Sequence, residues 1–139
     1  MKLSNCFTFS AAILGMSVAI GCNDASSTVS GPSGRKLTLV KPSDQSVRQG
    51  DAEKFSVAIV RQEFEDAVEL VVADLPKGVS IAGGKSLLIP AGAVNFDSMT
   101  LVAEKDADVV KDHLASLTAK GPDGVSVTEF FKITVKARN

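Results

Sequence analysis

The chain has 139 residues, with 15 basic and 16 acidic side chains and a formal net charge of −1. This length suits one domain and is short for two. A near-neutral balance argues against a nucleic-acid partner, which needs a clustered basic surface. Tryptophan and tyrosine are absent, so the aromatic anchors most common at protein interfaces are missing, and a sugar-stacking platform is disfavoured.

The first 21 residues have the pattern of an export signal. Lys2 is followed by a mostly apolar run of about 14 residues, Phe7 to Ile20. A membrane-spanning helix needs roughly 20 apolar residues, so this run is too short to be one. We expect residues 1–21 to be removed. Because Lys2 is their only charge, 14 basic and 16 acidic residues then remain, with a net charge of −2.

Ala19-Ile20-Gly21-Cys22 ends this run. It resembles the lipobox of bacterial lipoproteins, with alanine in place of the usual leucine three residues before the cysteine. The resemblance implies cleavage before Cys22 and a diacylglyceryl group on its thiol, and two or three acyl chains give stable membrane anchoring. The alternative is an ordinary signal peptide cut after Ala19-Ile20-Gly21. Cys6 lies within the signal, so no cysteine pair is left for a disulfide inside the domain.

Residues 22–35 continue from this cysteine with a polar segment rich in serine and glycine. Such a composition buries too little apolar surface to order itself. We therefore predict a flexible tether from Asn23 to Arg35, with a root-mean-square reach of roughly 20 Å.

Residues 36–136 show the alternation of apolar and polar side chains that predicts β-strands. Phe55, Val57 and Ile59 make up the apolar half of one such strand. Turn signals recur every 8 to 15 residues or so, and residues 137–139 form a short tail. No internal repeat is evident. The pattern predicts an all-β domain, a single Greek-key β-sandwich of about seven strands.

The last hairpin has the firmest turn chemistry. Gly121-Pro122-Asp123-Gly124 combines a proline that presets φ with a glycine that allows positive φ. The strand after it places Val125, Val127, Phe131, Ile133 and Val135 on one face. Glu129 and Phe130 interrupt this alternation, which indicates a bulge or an exposed edge.

Residues 104–119 admit two interpretations. Ala107, Val110, Leu114 and Leu117 form a helical stripe. Alternatively, a polar loop through Asp112 leads into a strand whose inward residues are Ala115, Leu117 and Ala119, with a helical turn near Asp106–Lys111 before it. We favour the strand, because it supplies the last strand with a hairpin partner.

Several turns and strand positions recur in one order along residues 37–136. They are Gly50-Asp51, Arg61, Phe64, Leu75-Pro76-Lys77-Gly78-Val79, Ile89-Pro90-Ala91-Gly92, Leu101 and Ala103. These turns, with the strand spacing between them, resemble the immunoglobulin-like modules of exported bacterial envelope proteins. The resemblance implies an immunoglobulin-like sandwich.

Candidate chemistry is sparse. His113 is the one histidine, so a Ser-His-Asp mechanism would depend on it, with Asp112 or another carboxylate as its orienter. Glu104, Asp106, Asp108 and Asp112 are weak candidates for a Ca²⁺ site, although lysines stand among them and the spacing is not that of an EF-hand. We favour the interpretation that His113 is an exposed surface residue and that the four acids lie in a solvated charged loop.

Glu63, Glu65 and Asp66 flank Phe64 in the loop after the Phe55–Arg61 strand. Paired carboxylates serve glycoside hydrolysis, but a loop without aromatic subsites is a poor setting for it. We expect Phe64 to cap the core, with a contact patch as the alternative.

Together these features predict a non-enzymatic, cofactor-free protein of the cell envelope. It would be held on the periplasmic or extracellular side by lipid on Cys22 and would present one domain to an envelope protein or matrix partner. The alternatives are a carbohydrate- or Ca²⁺-binding module and, less favoured, a small hydrolase.

Overall fold

A computed structural model describes residues 26–92 and 95–139. The predicted signal peptide and Cys22 lie outside this part of the chain. The described residues form ten strands: β1 (Ser26–Ser30), β2 (Lys36–Val40), β3 (Gln45–Arg48), β4 (Ala52–Gln62), β5 (Val68–Ala73), β6 (Val79–Ile81), β7 (Ser86–Ile89), β8 (Phe96–Ala103), β9 (Val110–Lys120) and β10 (Ser126–Lys136).

The strands divide into two five-stranded sheets. The first sheet has the order β1-β2-β4-β8-β6, and the second has the order β3-β10-β9-β5-β7. Neighbouring strands are antiparallel except β3, which runs parallel to the end of β10. The prediction of an all-β, immunoglobulin-like Greek-key sandwich is confirmed, with ten short strands rather than about seven.

The inward faces of the sheets form one aliphatic core. Leu37, Leu39 and Leu101 of the first sheet and Leu70 and Leu117 of the second are fully buried. Phe55 meets Phe131 across the sandwich, with ring centroids 5.7 Å apart. Burying a side chain of this size contributes about 1.5–3 kcal/mol. Packing of these side chains therefore holds the domain.

The predicted start of the domain at residue 36 is wrong. Ser26–Ser30 is a strand, paired antiparallel with β2 from Ser26↔Val40 to Ser30↔Lys36. The composition of this segment indicated disorder because it has almost nothing to bury. An edge strand is stabilised instead by backbone hydrogen bonds to its neighbour, and Val29 adds a contact with the core. Residues 22–25 lie outside the described part of the chain.

The strand interpretation of residues 104–119 is confirmed, but the strand begins at Val110, so the predicted loop through Asp112 ends earlier than expected. β9 pairs with β10 on one side and β5 on the other, with Ala115, Leu117 and Ala119 buried. The helical alternative is wrong, because Leu114 of its stripe is 55% exposed on the outer face. The predicted helical turn near Asp106–Lys111 is also replaced, by a turn at 105–106 and an extended segment.

At Glu129 and Phe130 the predicted bulge is wrong, but the alternative of an exposed edge is confirmed, because β3 pairs with β10 only from Ile133 onward and Phe130 is half exposed. The register of β9 and β10 runs unbroken through Glu129 and Phe130. It shifts where Lys111 and Asp112 together face Thr134. Asp112 has a φ of 54°, and its N–H donates to Thr134 Oγ1 over 3.2 Å. Glu129 interrupts the apolar alternation because it is a polar residue, and its carboxylate accepts a hydrogen bond from the Ser27 hydroxyl of β1.

Two hairpins share a turn that the sequence analysis overlooked. Residues 28–38 read TVSGPSGRKLT and residues 118–128 read TAKGPDGVSVT. The first segment joins β1 to β2, and the second joins β9 to β10. The third turn residue is left-handed in both, with φ 60° at Ser33 and 57° at Asp123. The paired threonines also match, with Oγ1···Oγ1 distances of 2.6 and 2.8 Å.

These twin hairpins belong to different sheets and meet at one end of the sandwich. Arg35 of the first hairpin forms an ion pair with Asp123 of the second. Gly31 lies so close to the second hairpin that a Cβ atom there would be 2.5 Å from Val125 Cγ2. The two sheets are therefore joined at this end by direct contact between their hairpin turns.

Candidate interaction surface

The outer face of the second sheet carries exposed apolar side chains. In strands, residues alternate between the two faces, so those that flank the buried Phe131, Ala115 and Leu70 point outward. On this face Phe130 is 50% exposed, Leu114 55% and Leu88 61%. A single exposed apolar residue needs no explanation, whereas a contiguous group marks an interaction site.

Phe130 and Leu114 are contiguous. Cross-strand pairing places Phe130 opposite Ser116, and Ser116 opposite Ala73, in one row across β10, β9 and β5. Leu114 occupies the next outward position on β9, opposite Lys132. Leu88 lies apart, in the row of Glu69 and Lys120. We call Phe130, Ser116, Ala73 and Leu114 the second-sheet patch.

Polar and charged side chains border the second-sheet patch. Thr118 and Thr128 are hydrogen-bonded to each other in the next row. Lys132 is the cross-strand neighbour of Leu114. Glu69 and Lys120 are paired in the row after the threonines. An aromatic and an aliphatic side chain inside a polar rim is the usual anatomy of a protein–protein contact. The patch suits a protein that offers an apolar pocket and an acid facing Lys132.

The four candidate Ca²⁺ ligands do not gather. Glu104, Asp106 and Asp108 occupy the loop before β9, and Asp112 occupies the bulge of that strand. The loop is fixed by its backbone, with Glu104 N–H bonded to Gly78 O and Asp108 N–H to Lys77 O. In residues 26–92 and 95–139, no group of three His, Cys, Asp or Glu side chains is placed to hold a metal ion.

His113 lies inward at the start of β9, opposite Ile133. Its Nε2 is 2.7 Å from the main-chain oxygen of Asp74. Throughout the described part of the chain, no hydrogen bond joins this ring to a hydroxyl or a carboxylate. The predicted orienter Asp112 instead uses its backbone N–H to bind Thr134. His113 therefore connects β9 to the end of β5 and lacks the partners of a catalytic triad.

Two of the loop acids, Glu63 and Glu65, line a cleft together with Arg61. This cleft of about 530 Å³ lies at the end of β4, lined by Arg61, Glu63, Phe64, Glu65, Gly92 and Asn95. Arg61 donates to the main-chain oxygens of Asp66 and Pro90, each over 2.9 Å, and to Asn95 Oδ1 over 3.2 Å. It thereby ties the β4–β5 loop to the β7–β8 loop. Phe64 packs against the core, as expected of a capping side chain.

Sequence reasoning overlooked the second-sheet patch, although one signal was present. Phe130 stands beside Phe131 and breaks the alternation. This break was interpreted as a bulge or an exposed edge, and not as an aromatic side chain that faces outward for contact. Leu114 was assigned to a helical stripe, which concealed its pairing with Lys132 of β10.

The fold and this surface define an immunoglobulin-like β-sandwich module. No family model matches the chain, and a search of curated proteins finds no match. Among solved structures, it is similar to a chimeric titin Z1Z2 functionalised with a KLER peptide from decorin, at 20% identity and a TM-score of 0.43, covering 82% of this chain and 99% of that one.

Two further similarities are to titin structures solved with a partner. The complex of titin M10 with the obscurin-like 1 Ig domain aligns at 15% identity and a TM-score of 0.45, covering 76% of this chain and 99% of that one. Titin domains Z1Z2 in complex with telethonin align at 18% identity and a TM-score of 0.43, covering 73% and 48%. The immunoglobulin-like assignment rests on the strand order given above.

Proposed function

We propose that this chain is a non-enzymatic, lipid-anchored protein of the cell envelope that presents one immunoglobulin-like sandwich to a protein partner. The second-sheet patch is the contact surface. One observation carries the proposal. Phe130 and Leu114 are half exposed on a regularly paired sheet, where the fold itself has no use for them.

The chemistry of the second-sheet patch supports a binding role. An exposed phenylalanine costs solubility, and its burial by a partner recovers about 25 cal/mol for each Å² of apolar surface removed from water. The backbone at Phe130 and Leu114 is held by the antiparallel pairing of β10 with β9. Little conformational freedom is therefore lost on binding. Phenylalanine is among the aromatic residues that are enriched at protein interfaces.

Support for the anchor comes from the sequence around Cys22. An apolar segment of signal length precedes it, and a small residue, Gly21, stands directly before it. In the described residues, no helix is long and apolar enough to cross a membrane. Two or more acyl chains on one cysteine would supply stable attachment by themselves.

The anchor is tested by intact-mass analysis of the membrane-extracted protein and its Cys22→Ser variant. We expect the wild-type chain to begin at residue 22 and to carry the mass of a diacylglyceryl group. The variant should move to the soluble fraction. An unmodified wild-type mass, or membrane association that Cys22→Ser leaves unchanged, would contradict the anchor.

The contact surface is tested by photo-crosslinking in the native envelope. A photoreactive amino acid at Lys132, beside the second-sheet patch, should join the chain to one protein species. Adding Phe130→Ser should reduce that product by about tenfold or more, since truncating a central aromatic anchor costs about 2 kcal/mol or more.

Phe96→Ser is the matched control, because Phe96 is the exposed phenylalanine of the first sheet. It should leave the crosslink from Lys132 unchanged. Equal loss in both variants would show that stability rather than contact is affected. No loss in either variant would show that the second-sheet patch is not the interface.

A further inference from the structure

We propose that the outer face of the first sheet lies against the membrane that holds the lipid anchor. The contact is made by Val40, Ala58, Val60 and Phe96, which we call the first-sheet patch. This inference rests on the proposed acylation of Cys22. It adds a defined orientation to that function, with one face of the sandwich toward lipid and the other toward the protein partner.

Only a short length of chain separates the anchor from the domain. Because Ser26 already belongs to β1, only four residue steps separate it from Cys22. Fully extended, four steps span at most about 14 Å. A tether through Arg35 would have a root-mean-square reach of roughly 20 Å and a much longer maximum extension. The start of β1 is therefore held within about 14 Å of the anchored cysteine, and the sandwich stays close to the membrane surface.

That short connection ends at one side of the first sheet. Ser26 pairs with Val40, Val40 with Ala58, and Ala58 with Phe96. These four residues form one row across β1, β2, β4 and β8. At about 4.8 Å between strands, the row is about 14 Å wide. The anchor thus enters the fold at one end of the row, and the exposed aromatic stands at the other.

An exposed apolar surface follows that row. Phe96 is 72% exposed, the most exposed of the large apolar side chains in the described residues, and Val60 and Val40 are 45% and 39% exposed. Val60 lies in the neighbouring row, opposite Thr38. Aromatic and aliphatic side chains on a surface that lies in the lipid interface bury themselves at the headgroup level.

The charge of this face also suits a lipid surface. Lipid surfaces that contain anionic headgroups repel carboxylates and attract lysines. By strand alternation, the outward positions of the first sheet hold two cations, Lys36 and Lys54, and no acid. These positions are 26, 28 and 30 in β1, 36, 38 and 40 in β2, the even residues 52–62 in β4, 80 in β6, and 96, 98, 100 and 102 in β8.

The test uses the acylated full chain in vesicles of phosphatidylethanolamine and phosphatidylglycerol that carry a lipid-bound quencher. Acylation blocks the Cys22 thiol, and Cys6 is removed with the signal, so one introduced cysteine takes a single fluorophore. Ser56→Cys places it on the first sheet and Ser126→Cys on the second, both at exposed serines in strands. We expect lipid quenching at residue 56 and none at residue 126.

A second pair of variants tests the patch itself. Phe96→Ser in the Ser56→Cys background should lower the quenching at residue 56, whereas Phe130→Ser should not. Equal quenching on both faces, or none on either, would overturn the orientation. If the fluorophore at residue 56 is shielded from solvent only when envelope proteins are added, the orientation is overturned as well. The first-sheet patch would then be covered by a protein and not by lipid.

Failure of the anchor is distinguished by the unsubstituted chain. If Cys22 is acylated, that chain takes no fluorophore, and a negative quenching result then counts against the orientation alone. If the unsubstituted chain takes one fluorophore, Cys22 is a free thiol and the proposed function fails at its anchor.

Discussion

The two sheets have similar inner faces and different outer faces. Both inner faces are aliphatic, with one phenylalanine each, and these two rings meet across the core. On the outside of the first sheet, Phe96 lies in the row that begins at Ser26. The outward positions of this sheet hold no acid. The second sheet has Phe130 and Leu114 with Lys132 and a Glu69–Lys120 pair nearby.

This difference shows which positions of such a fold are free to vary in residue type. Inner positions must fill a common volume at close packing, so they converge on the same few residue types. Outer positions contribute little to stability and can therefore differ between the faces. The two outer faces accordingly carry different apolar groups, Phe130 with Leu114 on the second sheet and Phe96 with Val40 and Val60 on the first, and the two proposed contacts rest on these groups.

The largest expected effect separates an inner from an outer position on one strand. Phe131 is fully buried, and Phe130, its neighbour in the chain, faces outward. Phe131→Ala should lower the free energy of unfolding by about 3–5 kcal/mol. Phe130→Ala should change it by about 0.5 kcal/mol or less. Urea unfolding measures both, and comparable losses would make Phe130 part of the core and remove the case for the second-sheet patch.

A middle-sized effect is expected where the sheets meet, at the twin hairpins. Gly31 and Gly121 hold the same turn position with ordinary φ values of −113° and −98°. A Cβ on Gly31 would lie 2.5 Å from the branched side chain of Val125, whereas one on Gly121 would lie 3.5 Å from Leu37 Cδ2. Gly31→Ala should therefore lower the free energy of unfolding by about 1–3 kcal/mol through overpacking.

Gly121→Ala is the control for this prediction. It should be close to neutral or should stabilise by up to about 1 kcal/mol, because it reduces the freedom of the unfolded chain. Thermal unfolding of the two variants gives the comparison. Equal behaviour would show that the first hairpin does not press against the second.

The smallest expected effect concerns the ion pair between the twin hairpins. Arg35 and Asp123 are partly exposed, and exposed pairs contribute about 0–1 kcal/mol. Asp123→Asn removes the charge and keeps a residue that tolerates the positive φ found there. The loss should shrink at high ionic strength. A loss above 1 kcal/mol that persists in salt would show that the pair holds the two sheets together.

Much of the core could be predicted from sequence because strand alternation is local. Phe55, Val57 and Ile59, and the inward set from Val125 to Val135, are buried as their spacing predicts. The turn at Gly121–Gly124 was also predictable, since proline and glycine restrict the backbone directly. The T-x-x-G-P-x-G repeat was open to the same reasoning and was overlooked.

The candidate surface was less predictable because it depends on register. Phe130 and Leu114 are 16 residues apart in sequence and become neighbours only through the pairing of β10 with β9. A register shift of one residue would send Phe130 into the core and Phe131 to the solvent. The acidic run from Glu104 to Asp112 illustrates the converse, because residues close in sequence do not gather into a site.

The sequence by itself determined the class of fold, the inward residues of most strands, the final hairpin and the candidate anchor at Cys22. These properties depend on side-chain chemistry and on spacings of a few residues. Only the tertiary structure decided that Ser26–Ser30 joins the first sheet, that Arg61 ties two loops together, and which apolar residues remain outside. Each of these depends on hydrogen bonds and packing between segments far apart in the chain, and no local pattern encodes them.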